Sequence, residues 1–166
     1  MQYFNPYILI GSLLYGAGES LVDNFVRDNV APVPGSLVYC DLWCFEHSGI
    51  AISDTEIVHL NGDGLVEVVS HKAFRNRLDG YNNALSIYVS AYKDHWGDVS
   101  AVGSKVVARR AERLIGQRMN YSLLDHNCHS FSHLCLTGSV DDVSFFSALK
   151  MRSARLLNAN TWRVAK

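Results

Sequence analysis

Cysteine and histidine are the residues of this chain whose types and spacing can do chemistry. Cys128 follows Asn127, a favoured helix N-cap, and is followed by Phe131, Leu134 and Cys135 at helical spacing, so the pattern predicts a helix that begins at Cys128. A thiol in the first helical turn sits at the positive end of the helix dipole, which favours thiolate over thiol and lowers the pKa from about 8.5. Such a thiolate needs an imidazole to take its proton, and the imidazole needs a polar partner that fixes its tautomer. His47 and His59 are candidates for those two roles, and the backbone amide of Cys128 at the open helix end is a candidate donor to an oxyanion. The competing readings are an inert, buried cysteine and half-buried, hydrogen-bonded strand histidines.

These residues need elements that bring them together. His47–Ser53 and Glu56–Leu60 flank Ser53-Asp54-Thr55 and read as a β-hairpin. Pairing the apolar residues puts Ile50, Ile52, Val58 and Leu60 on one face, which requires an odd loop. The opposite face then carries His47, Gly49, Ala51, Ile57 and His59, with the histidines diagonal neighbours if the loop has three residues. Gly49 and Ala51 are small, and the expectation is that the Cys128 helix approaches above them. Further strands are predicted at Ser36–Cys40, Leu65–Val69 and Leu85–Tyr92, a short helical connection at His71–Leu78, and an amphipathic helix from Ser104 to Gly116.

At the ends the composition changes. Residues 1–31 form an apolar, glycine-punctuated arm with a predicted helix from Ser20 to Asn29, closed by the turn cluster Ala31-Pro32-Val33-Pro34-Gly35. The longest apolar run, Tyr7–Ala17, is shorter than the roughly 20 residues that span a bilayer. Residues 141–166 form a basic, amphipathic helical tail in which Lys150, Arg152, Arg155, Arg163 and Lys166 alternate with apolar residues; this suits an anionic membrane surface, or a helix packed on the core with a solvated basic face.

The chain has 166 residues, 48% hydrophobic and 19% charged, which implies one globular domain overall. A net charge of -1 and the lack of a basic, aromatic-interleaved stripe argue against a nucleic-acid partner. Cysteines at 40, 44, 128 and 135 make no disulfide framework and no secretory leader is evident, so a reducing, cytoplasmic setting is expected. No cofactor is implied. A zinc site from Cys40, Cys44 and the histidines is the weakest option, because no second ligand pair has finger spacing.

Glu46-His47, His59 and Asn127-Cys128 followed by Phe131 resemble the histidine box and the Asn-Cys box of the lecithin retinol acyltransferase family. Pro34-Gly35 and the run from Ala111-Glu112-Arg113-Leu114-Ile115-Gly116 through Tyr121-Ser122-Leu123 fit the same pattern, so the resemblance covers Pro32 to Gly138. It implies an α+β fold with an antiparallel sheet packed on helices, a circularly permuted NlpC/P60 papain-like arrangement, in a catalytic domain at 32–140. It also implies Cys128 as nucleophile, His47 as general base, His59 as the residue orienting it, and phospholipid as acyl substrate for an acyltransferase or a phospholipase A-type hydrolase. The chain departs from the family at Phe45 and Ser48, where relatives often carry tyrosine and tryptophan, and at His129-Ser130, which replaces a common Glu-His.

Two other functions compete with acyl transfer on lipid. The same residues would serve a cysteine peptidase or amidase of NlpC/P60 type, which releases amines rather than fatty acid. A catalytically inactive binding module is the alternative from another class, and three intact candidate residues argue against it.

Overall fold

A computed structural model of the chain describes residues 29–42, 45–77, 82–120, 127–140 and 145–166. The predicted helix at Ser20–Asn29, apart from Asn29, and nearly all of the N-terminal arm lie outside the described residues, as does Cys44. Nine strands are described: β1 Leu37–Leu42, β2 Phe45–Ala51, β3 Glu56–Leu60, β4 Val66–Ser70, β5 Asn76–Arg77, β6 Asn82–Asn83, β7 Tyr88–Lys93, β8 Val99–Ala101 and β9 Thr161–Val164. The four described helices are α1 His71–Arg75, α2 Lys105–Leu114, α3 Cys128–Thr137 and α4 Phe146–Leu157.

Seven strands form one antiparallel sheet in the order β4-β3-β2-β1-β7-β8, with β9 on the other edge of β7, and β5 pairs with β6 apart from it. The α+β class with an antiparallel sheet packed on helices is therefore correct. Alternation along the strands divides the apolar residues into two layers. Leu37, Ile50, Val58, Leu60 and Val66 face α2, α3 and α4, meeting Val107, Phe131, Cys135 and Leu149. Val38, Cys40, Ala51, Ile57 and Val89 face the other way, against Phe74 of α1 and the segment Ala84–Ile87. Burying Phe131 or Phe74 completely contributes roughly 1.5–3 kcal/mol each, so both layers anchor their helices.

The stretch expected as a helical tail contributes a strand as well as a helix. Phe146, Leu149 and Leu157 bury one side of α4, and after Asn158 in the left-handed conformation the chain returns as β9 beside β7. At the other end of the fold, Gly35 has a φ of 84°, and any side chain there would collide with the Ser104 carbonyl at the start of α2. That close approach fixes where β1 begins.

Candidate active site

The β2–β3 hairpin forms as its apolar pattern requires. Ile50 pairs with Val58 and Ala51 with Ile57, and Ile52 N–H donates to Glu56 O across the three-residue loop Ser53–Thr55. The ladder stops at those two pairs, whereas β2 stays paired with β1 as far as Phe45 and β3 with β4 along its whole length. Beyond Ile50 and Val58, where this pairing ends, His47 Nε2 lies 3.1 Å from His59 Nδ1. The two rings meet edge to face and Phe74 of α1 packs against both, at 4.8 and 5.7 Å between centroids. His47 and His59 are buried.

Glu67, directly across the β3–β4 ladder from His59, extends this pair. Its Oε1 is 3.4 Å from His59 Nε2 and accepts from Asn61 Nδ2 at 3.1 Å. A carboxylate oxygen only accepts, so His59 carries its proton on Nε2 and, as a neutral ring, accepts from His47 Nε2–H through Nδ1. Neutral His47 is left with its lone pair on Nδ1. Sequence reasoning missed Glu67, although the turn Asn61–Gly64 sets the register that places it opposite His59.

The helix of Cys128 starts as predicted. Asn127 Oδ1 accepts from the amides of His129 (2.9 Å) and Ser130 (3.3 Å), and Gly138 in the left-handed conformation ends α3 with its N–H donating to Leu134 O. Cys128 is the first residue of this helix and is buried. Cys135, two turns on, is fully buried, and desolvation pushes its thiol up to about 12.

The face that α3 covers differs from the expectation. The helix packs on the Ile50, Val58 and Leu60 side of the sheet, and the space above Gly49 and Ala51 belongs to α1. A Cβ at Gly49 would lie 2.7 Å from Ile57 Cγ2 and 3.1 Å from the Phe74 ring, so the small residue accommodates its own layer rather than a helix end. Ser48 of β2 meets the start of α3. Its hydroxyl donates to the Cys128 carbonyl (3.1 Å) and lies 2.9 Å from His129 Nδ1 and 3.0 Å from Ser132 Oγ. His129 Nδ1 is also 3.9 Å from Cys128 Sγ, and the ring packs on Phe146 at 5.4 Å. Burial pushes the His129 pKa down to about 4. Ser48 and His129 stood out in the sequence only as departures from a family pattern, and in the fold they touch each other.

The family model for lecithin retinol acyltransferase matches residues 31–141. The chain belongs to the lecithin retinol acyltransferase family. Among curated proteins, it is 27% identical over 111 residues to human phospholipase A and acyltransferase 4, a match covering 60% of this chain and 66% of that protein, just short of two thirds of its length. No solved structure matches significantly. The family match covers β1 through α3 and so includes all the candidate residues; α4 and β9 lie beyond it. Among the described residues of this family member, no helix is long and apolar enough to cross a membrane, and no group of three or more His, Cys, Asp or Glu side chains could hold a metal ion.

Proposed function

We propose that the protein transfers acyl groups from phospholipid through a thioester on Cys128, as an acyltransferase or a phospholipase A-type hydrolase with the permuted NlpC/P60 papain-like arrangement. The observation that carries this reading is the contact chain from Glu67 through His59 to His47; with neutral rings, His59 protonated on Nε2 and His47 on Nε2, the base is His47 Nδ1. His47 Nδ1 takes the proton of the Cys128 thiol, and the sulfur attacks the ester carbonyl carbon. Negative charge develops on the carbonyl oxygen and is met by the backbone amide of Cys128 at the helix start. Collapse breaks the ester C–O bond, and the lyso-lipid oxygen leaves with the proton held by His47. A hydroxyl, amine or water then gives its proton to His47, attacks the thioester and releases the thiol. His59 and Glu67 hold the His47 ring through both halves.

Substrate of this kind lies at a lipid surface. Met151 and Leu156 are exposed on α4 beside the exposed Lys150, Arg152 and Arg155, a composition that suits peripheral contact with anionic lipid.

The test is incubation with a labelled phospholipid in anionic vesicles, followed by mass spectrometry of the intact protein. One acyl mass on the wild type, none on Cys128→Ala, and a rate that falls with added salt are expected. Full turnover by Cys128→Ala would overturn the thioester reading, and release of amines from peptides in place of fatty acid from lipid would transfer the site to a peptidase or amidase.

A further inference from the structure

His129, held by Ser48, brings an imidazole to the Cys128 sulfur from the opposite side of the sheet to His47. Ser48 Oγ has three polar neighbours: the Cys128 carbonyl, His129 Nδ1 and Ser132 Oγ. A carbonyl can only accept, so the single Ser48 hydrogen points to it. All three contacts are hydrogen bonds only if His129 Nδ1–H and Ser132 Oγ–H both donate to Ser48. The same Nδ1 lies 3.9 Å from Cys128 Sγ.

We propose that His129 is a hydrogen-bond donor to the Cys128 thiolate, held as its Nδ1–H tautomer by Ser48, and that it supports the reaction without taking up a proton. The inference rests on the reading of Cys128 as the nucleophile. When the thiol ionises, its sulfur becomes the strongest acceptor within reach of Nδ1–H, and the donor shifts its bond from Ser48 toward it. A donor to the charged form lowers a thiol pKa. Nδ1 already carries a proton and cannot act as the base, which keeps that role on the other side of the sheet. No carboxylate contacts His129 among the described residues; Phe146 covers its ring, and burial opposes an imidazolium. Ser48 acts through the His129 ring and is a positioning residue.

The experiment follows the pH profile of Cys128 alkylation by iodoacetamide in the full chain, with Cys128→Ala as background. His129→Leu, which keeps apolar volume and loses the donor, should raise the midpoint by about one pH unit, so that labelling below it slows about tenfold. His129→Asn places an amide N–H near the position of Nδ1 and should restore most of that loss, which a purely structural role would not predict. Ser48→Ala should shift the midpoint the same way by less. An unmoved midpoint in folded His129→Leu overturns the proposal. Nitrogen NMR of the wild-type imidazoles decides it without variants: a neutral Nδ1–H ring at pH 7 is expected for His129, and an Nε2–H ring or an imidazolium overturns it. Neither readout uses lipid, so acyl transfer surviving in Cys128→Ala would remove the thioester reading while leaving the contact measurable.

Discussion

His47 and Ser48 are neighbours on β2 and point to opposite faces, and the two faces treat histidine differently. On the α1 side, His47 and His59 are joined in a chain that ends on Glu67, a carboxylate with 36% of its side chain exposed. On the α3 side, His129 is buried against Phe146 and bonded to the Ser48 hydroxyl, with no carboxylate in contact among the described residues. A carboxylate ends the first chain as an acceptor for His59, whereas burial without one keeps the second ring neutral. A site that needs a proton acceptor and a fixed donor can obtain both from histidine if the surroundings push the two apart. Glu67 and Phe146 are the residues that make the difference.

Removal of the acceptor is the change with the largest expected effect. His47→Ala should lower acyl transfer by about 10²- to 10⁴-fold, the usual contribution of a positioned general base. Single-turnover rates on the labelled lipid measure it. A loss below about tenfold would take the base away from this face and abolish the division between the two.

Stability against pH tests the other face. A histidine whose folded pKa is about 4, against about 6.5 unfolded, is neutral in the native state while the unfolded chain gains a proton between those values. The unfolded state then binds more protons, so stability rises with pH across that window: full above about 6.5 and lost as pH falls toward 4, by roughly 3 kcal/mol in all. His71, also pushed down by burial and by Arg75, acts in the same direction. The difference between wild type and His129→Asn in denaturant titrations at pH 7, 5.5 and 4.5 isolates the His129 share. Parallel curves would mean that His129 gains a proton in the native state, and the contrast between the faces would be lost.

What could be read from the sequence was local or periodic. Asn127 caps α3 with its own side chain, so the helix start at Cys128 needs no distant contact. The parity of the hairpin follows from a period of two, and it put His47 beside His59. The face chosen by α3 was not legible, because both faces of the hairpin carry apolar residues and a small residue such as Gly49 opens space without saying what fills it. Ile57 and Phe74 fill it. The Ser48–His129 contact joins residues 81 positions apart and carries no periodic signal. Nor did the basic stretch ending in Trp162, Arg163 and Val164 declare a strand, since its four residues become β9 only by pairing with β7. Glu67 was closer to being legible, because the Asn61 side chain accepts from Asp63 and Leu65 and so fixes the turn that sets its register.

The smallest expected effect belongs to Glu67→Gln, and its size decides how much of the contrast between the faces comes from the carboxylate charge. Oε1 reaches His59 Nε2 at 3.4 Å and is shared with Asn61, and the side chain is about a third exposed. Solvent screens a pair of this kind to about 0.2–1 kcal/mol, which corresponds to a factor of at most about five in rate. Glutamine keeps an acceptor oxygen for His59 Nε2–H, so the tautomer chain survives and only the charge is lost. Acyl transfer by Glu67→Gln should therefore fall about twofold to fivefold, whereas Glu67→Leu, which removes the acceptor as well, should fall further. Equal rates for wild type and Glu67→Leu would show that His59 is oriented by the β3–β4 pairing and Phe74 alone. A loss above about a hundredfold in Glu67→Gln would instead make the carboxylate a full partner of the two histidines.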